Sequence, residues 1–376
     1  MTDRPKSEDN SWIEDITPEQ AKARGGYKAL VRRDVVRVIT PGTLTEDTLL
    51  DSRASNYVAC VCGHVNALGL AWLDMSTGAF FVQALNATTL SAALERVAPR
   101  EVLVPERLAY AGEMDDAFEA VGNALTIQPN SLFDPENAKT RLQSLFGVGT
   151  LDAYGAFTSA EIAAAGSLVD YIARTQKGAM PRLSPPRPIA PESCVEIDAA
   201  TRRNLELTRT LSGERRGSLL ATIDRTQTGA GARLLAERLS APSRDVADIN
   251  TRLAQVALFV ERTPERTALR DILKSMPDIE RALSRLSLGR GNPRDLAMIR
   301  DGIAAAASVR ARLIETVQDD AIAPISQLLA ADVVINSDQD NLARWQGQLG
   351  RLRHTQTLTF PSMTLANGQS QLATFK

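Results

Sequence analysis

LLATIDRTQTGAGARLLAERLSAP, Leu219 to Pro242, is the stretch on which the fold turns. Its centre, TGAGAR, resembles a glycine-rich phosphate loop. Such a loop needs free backbone N–H groups at a helix start and, in the P-loop form, a lysine and a hydroxyl side by side at its end. Here Gly229 and Gly231 are followed by Ala232, Arg233 and Leu234, and no Gly-Lys pair occurs in the 376 residues. The G-x-G-x-x-G pattern fails as well, because Leu234 stands at its third glycine. The stretch reads instead as a helix capped by Thr228, with Leu234, Leu235 and Leu239 on its apolar side. Small residues at its start let another helix come close. The run is therefore structural, and the question becomes what it packs against.

Downstream, from about Asp198 to Leu329, only helix patterns occur. TRRNLELTRTL, GARLLAERL, DVADINTRLAQVALFVER, PERTALRDILKSM, DIERALSRLSL and PRDLAMIRDGIAAAASVRARLIETV all carry apolar residues at three- and four-residue spacing. Asn292-Pro293 is a cap followed by a first-turn proline. This predicts an all-α domain over 198–334. The final residues, Asn341–Lys376, hold no Asp or Glu, against 45 in the whole chain, and 335–376 reads as an atypical tail, disordered or of different origin.

Upstream the pattern changes. NYVACVCGHV, ALGLAWLDMS and TGAFFVQAL are short apolar runs bounded by turn residues, a β-meander. TTLSAALERV reads as a helix and EVLVP as a buried strand, which predicts an α/β domain over 51–150. Ala153–Gln176 is helical, and AMPRLSPPRPIAP, with prolines at 181, 185, 186, 188 and 191, is extended. Residues 151–197 are expected to be a helix and linker. Thr17-Pro18-Glu19-Gln20 starts a short helix, Gly25-Gly26 ends it, and KALVRRDVVRVIT is extended up to Pro41-Gly42.

Hydrophobic residues make up 44% and charged residues 23%, with a net charge of −2 and a pI near 5.9, so nothing attracts DNA or acidic membranes globally. Three cysteines and two histidines give neither a disulfide framework nor a zinc module. No run reaches the ~18 apolar residues of a membrane span, and MTDRPKSEDN has no signal core. A cytoplasmic protein, with no membrane partner, is expected.

Cys60-Val61-Cys62-Gly63-His64 tempts a metal reading, but strand residues two apart sit roughly 7 Å from one another and tetrahedral zinc ligands converge to about 2.0–2.3 Å from the metal. Two buried cysteines on one strand face are expected. Asp74 closes a strand in LDMSTGAF without a partner carboxylate, so a turn at Ser76-Thr77-Gly78 is expected rather than a metal-dependent nuclease site. Basic clusters remain: Arg32, Arg33 and Arg37; Arg202, Arg203 and Arg209 on one helix, then Arg215 and Arg216; and Arg281, Arg285, Arg290 and Arg294. Each could touch phosphates. Interleaved Glu206, Glu214, Glu280 and Asp295 favour ion-paired helix faces instead. No catalytic, cofactor-binding or metal-ligating residue emerges.

Asp198 to Asp245, DAATRRNLELTRTLSGERRGSLLATIDRTQTGAGARLLAERLSAPSRD, resembles the start of the core domain in MutS-type DNA mismatch-repair proteins. The match is carried by T-x-x-N-L-E-L at Thr201–Leu207, then Asp224, Thr226, Thr228, Gly231, Arg233-Leu234-Leu235 and Pro242. It continues through DIERALSRLSLGRGNPRDLAMIR. Upstream, NYVACVCGHVNALGLAWLDMSTGAFFV is similar to that family's connector domain, and Glu14–Leu50 to the end of its mismatch-reading domain, the resemblance running from about 12 to 334.

The resemblance implies an α/β plus all-α chain: a remnant of the reading domain over 1–50, a ribonuclease-H-like connector lacking catalytic carboxylates, and a long-helix lever core. It implies a role in recognising mispaired DNA, with a MutL-type protein or a full-length MutS-type subunit as partner. The family's Phe-x-Glu wedge, clamp helices and P-loop ATPase, with its ATP and magnesium, find no match, so an incomplete or inactive form without enzymatic activity is expected. Arg202, Arg203 and Arg209 are the candidate DNA phosphate contacts. The alternative is a freestanding adaptor that binds a repair partner through connector and core.

Overall fold

The computed structural model describes residues 35–317, except 65 and 191, together with the two-residue strands 12–13, 358–359, 363–364, 370–371 and 374–375. The expected helix start at Thr17–Gln20 and, apart from those two-residue strands, the acid-free tail lie outside the described residues. The chain forms two compact units. The first is built up to Asp245 and takes in Leu283–Arg290; the second comprises Val246–Ala282 and the chain from Gly291 on.

The first unit is organised by a six-stranded sheet. Strands β1 (Tyr57–His64), β2 (Ala67–Asp74) and β3 (Ala79–Leu85) form an antiparallel meander, as their alternating turn signals predict. On the free side of β1 lie β4 (Glu101–Pro105) and β5 (Leu125–Gln128), both parallel. A two-residue strand, β6 (Arg187–Pro188), pairs in parallel with β3 at the other edge. The meander strands and β4 are largely apolar because both faces are covered. Val58, Cys60, Cys62, Leu73 and Phe80 join one core cluster; Ala59, Val61, Leu70, Trp72 and Phe81 join the other.

Helix α1 (Ala87–Val97), capped by Asn86, covers the second face together with α2 (Glu106–Ala109) and α3 (Asp115–Val121). The first face is covered by α4 (Pro135–Phe146) and α5 (Ser159–Thr175). Thr158 and Glu161 close a capping box at the start of α5. Gly69 on β2 makes this approach feasible: a Cβ there would lie 2.3 Å from the Ala160 carbonyl carbon.

Two expectations are corrected here. The domain does not stop near 150, and 151–197 is not a separate helix and linker. Ala163, Ala164, Leu168 and Ile172 of α5 are fully or almost fully buried against the sheet, and the proline-rich run supplies β6. The sheet cannot bury its first face without α5, so the helix belongs to it. Nor does TRRNLELTRTL form one helix. Helix α6 (Ala199–Asn204) ends there, and Glu206 adopts φ 46°. The chain then folds back, with Leu219 and Leu220 N–H donating to the carbonyls of Glu206 and Leu207. Thr208, Thr210, Ser212 and Gly213 favour such turns over helix.

Every regular element among described residues 198–317 is nevertheless a helix. Short α7 (Leu219–Ile223) precedes α8 (Gly229–Ser240), whose buried residues are Ala232 and Arg233, whereas Leu234 is exposed, against expectation. In the second unit, α9 (Val246–Glu261) and α10 (Thr263–Lys274) are followed by α11 (Ile279–Ser287), whose end enters the first unit, and by α12 (Pro293–Val317). Asn292 and Asp295 cap α12 reciprocally. Helix α9 buries no residue, and Leu253, Val256 and Val260 form an exposed stripe along it.

Candidate functional site

A dense polar arrangement in the first unit is centred on Asp224, at the end of α7. Its carboxylate accepts from Arg53 Nη2 at 2.7 Å and Arg215 Nη2 at 2.9 Å, and from the Thr226 N–H and hydroxyl at 3.1 and 2.7 Å. Its side chain is only 5% exposed. Burial by itself would raise the carboxyl pKa; the Arg53 and Thr226 hydrogen bonds and the Arg53 charge outweigh it and hold Asp224 at about 2. Arg53 also reaches the Thr226 hydroxyl.

The TGAGAR run completes this joint. Thr228 Oγ1 accepts from the Gly231 N–H at 3.0 Å, the predicted cap. Arg233 Nη1 donates to the Ser52 carbonyl at 3.0 Å. A Cβ on Gly229 would sit 2.6 Å from that same oxygen. The glycine thus lets the start of α8 touch the segment leading into the sheet, and Arg233 fastens it. Small residues here serve backbone approach, which answers what the run packs against: residues 51–53.

The carboxylates at the sheet end are structural. Asp74, buried, accepts from the Ser76 N–H and hydroxyl and from the Asn56 N–H. Glu101, which lies opposite Val58 on the next strand, is also buried; it accepts from Thr40, Gly42, Thr126 and Tyr171. Sequence reasoning missed Glu101, whose only signal was an acid opening an apolar strand. Neutral donors saturate both, and no group of metal-binding side chains occurs among the described residues. Cys60 and Cys62 are buried free thiols; burial pushes both up, only partly offset at Cys62 by Arg107. His64 is exposed at the strand end.

The basic clusters come apart. Arg37 is buried and ion-paired with Glu46 at 2.5 Å; Arg32 and Arg33 lie outside the described residues. Arg285 pairs with Asp47, and Arg290 donates to Gln176 and Thr45. Arg281 lies 3.9 Å from Asp278, and Arg294 is exposed. Of the three candidate phosphate contacts, Arg202 is buried, Arg203 is exposed on α6, and Arg209 is exposed beyond its end, bonded to the Gly213 carbonyl. The three therefore do not share one helix, since α6 stops at Asn204. The burial of Arg202 removes it from any duplex-facing surface.

Family models match two parts of the chain: MutS domain II over residues 56–184 and MutS domain III over residues 200–348. The second match runs past 334, where the resemblance was expected to stop. The DNA mismatch repair protein MutS of Roseobacter denitrificans is 48% identical over 326 residues, covering 87% of this chain and 36% of that protein. Those of Paracoccus denitrificans and Rhodopseudomonas palustris are each 49% identical, covering 79% and 80% of this chain and 33% of their own lengths. The chain thus spans about a third of the length of these relatives.

Proposed function

This chain belongs to the MutS family, and on that premise we propose that it serves as the connector and the first part of the lever core of a protein that binds mispaired DNA under ATP control and starts mismatch repair. The observation that carries this reading is the joint at Asp224. It ties Arg53, just ahead of the domain II match, to Arg215 and Thr226 within the domain III match. A doubly ion-paired carboxylate with little side-chain exposure is the kind of stiff connection through which rigid-body movement of one domain reaches the next.

The connector is read as ribonuclease-H-like. An antiparallel meander continued by two parallel strands on the first strand's free side supports this, and the saturation of Asp74 and Glu101 supports the absence of nuclease chemistry. ATP and magnesium are assigned to other parts of the complete protein, since the sequence holds no Gly-Lys pair. Phosphate contacts from the start of the core are assigned to Arg203 and Arg209. A MutL-type protein is the partner proposed for the connector, in a cytoplasmic setting. No helix among the described residues is long and apolar enough to cross a membrane.

The adaptor reading has one observation in its favour, the exposed Leu253, Val256 and Val260 stripe, which a full-length MutS-type subunit could cover. Purified chain assayed for ATP hydrolysis, and titrated into matched and G·T-mismatched duplexes by fluorescence anisotropy, tests the main reading. No hydrolysis and weak binding without mismatch preference are expected. ATP turnover by the pure chain would overturn it. Stable co-elution with a full-length MutS-type subunit, without DNA, would favour the adaptor.

A further inference from the structure

Strand β3, helix α1 and the segment leading into α6 line a small hollow, open to solvent, in the first unit; its walls include Gln83, Arg96, Cys194, Glu196 and Arg202. Arg202 is 6% exposed, and its Nε and Nη1 are buried without any hydrogen-bond partner. Arg96 is oriented from two sides: its Nη2 donates to Gln83 Oε1, and its guanidinium lies over the Trp72 ring, 5.4 Å from the centroid. Burial first, and then the charge of Arg96, lowers the pKa of Arg202. Glu95, Glu196 and Glu237 act on the pair from a distance, and none forms an ion pair with either arginine. A buried cation with idle donors is costly unless an acceptor arrives.

We propose that this hollow binds a small tetrahedral oxyanion of the phosphate class between Arg96 and Arg202. Guanidinium groups match such oxygens in geometry and charge. Arg202 is too deeply buried to meet a duplex backbone, whereas a free anion can enter the hollow. The inference is independent of the mismatch-repair reading, since it rests on the first unit alone.

The test uses the full chain with inorganic phosphate as probe. Equilibrium dialysis at constant ionic strength, balanced with chloride, is expected to show saturable binding of one phosphate per chain. Thermal unfolding should shift upward with the same saturation. Arg202→Gln should weaken binding by at least about tenfold, and Arg96→Gln should weaken it too, while Lys139→Gln, exposed on α4, leaves it unchanged. If Arg202→Gln does not fold, Arg96→Gln carries the comparison. No saturable phosphate binding, undiminished binding in the Arg96 variant, or saturable binding of acetate in place of phosphate would overturn the proposal.

Discussion

Asp224 concentrates much of the polar chemistry of the first unit in one carboxylate. Its folded pKa of about 2 lies below the ~3.9 of an unfolded aspartate. The unfolded state therefore binds more protons between these values. Its contribution to stability is complete above roughly pH 5 and is lost as the pH falls through 4 towards 2. Asp224→Asn should destabilise the chain at pH 7, because Arg53 and Arg215 would then face each other, and should cost about half as much at pH 3. Urea unfolding at both pH values checks this; an equal loss at both would refute the assignment. Gly229→Ala places a methyl 2.6 Å from the Ser52 oxygen and should cost about 1–3 kcal/mol, despite the better helix propensity of alanine. At this scale the sequence was half legible. The Thr228 cap and the non-nucleotide character of TGAGAR follow from local chemistry. The burial of Arg202 and the role of Glu101 depend on neighbours more than a hundred residues away for Arg202 and about sixty to seventy for Glu101.

Among the elements, the meander was legible because each strand is a short apolar run bounded by turn residues, and EVLVP because nothing but a covered strand suits it. Helix α5 was recognised as a helix but assigned to a linker. Its AAAGS stretch lacks the one-sided apolar stripe that marks a surface helix, and here that signals burial on several sides. Leu168, with no exposed surface, should therefore behave as a core residue: Leu168→Ala is expected to cost about 2–5 kcal/mol in urea unfolding. A loss under about 1 kcal/mol would restore the linker reading. The early end of α6 was not legible, because an i, i+3, i+4 apolar pattern says nothing about a chain that folds back on itself. Threonine, serine and glycine at 208–213 were the available warning.

For the whole molecule, domain order and helical character were legible and the borders were not, since a border is set by which surfaces cover one another. DNA binding is a property of this scale. If Arg203 and Arg209 touch phosphates, replacing either with glutamine should weaken binding to matched and mismatched duplexes alike and lower the salt slope by about one per residue. Unchanged slopes would exclude both from the interface.

The return of Leu283–Arg290 to the first unit has a further consequence, one of timing. Ser284 bonds to the Met75 carbonyl, Arg285 to Asp47, and Arg290 to Gln176. These partners leave the ribosome early, whereas their counterparts emerge only after all of Val246–Ala282 has been synthesised. Vectorial translation thus yields a first unit that has its sheet in hand but waits for its last contacts. A premature stop anywhere before Ser284 would release it unfinished, with Asp47 and the Met75 carbonyl open to whatever the cell offers.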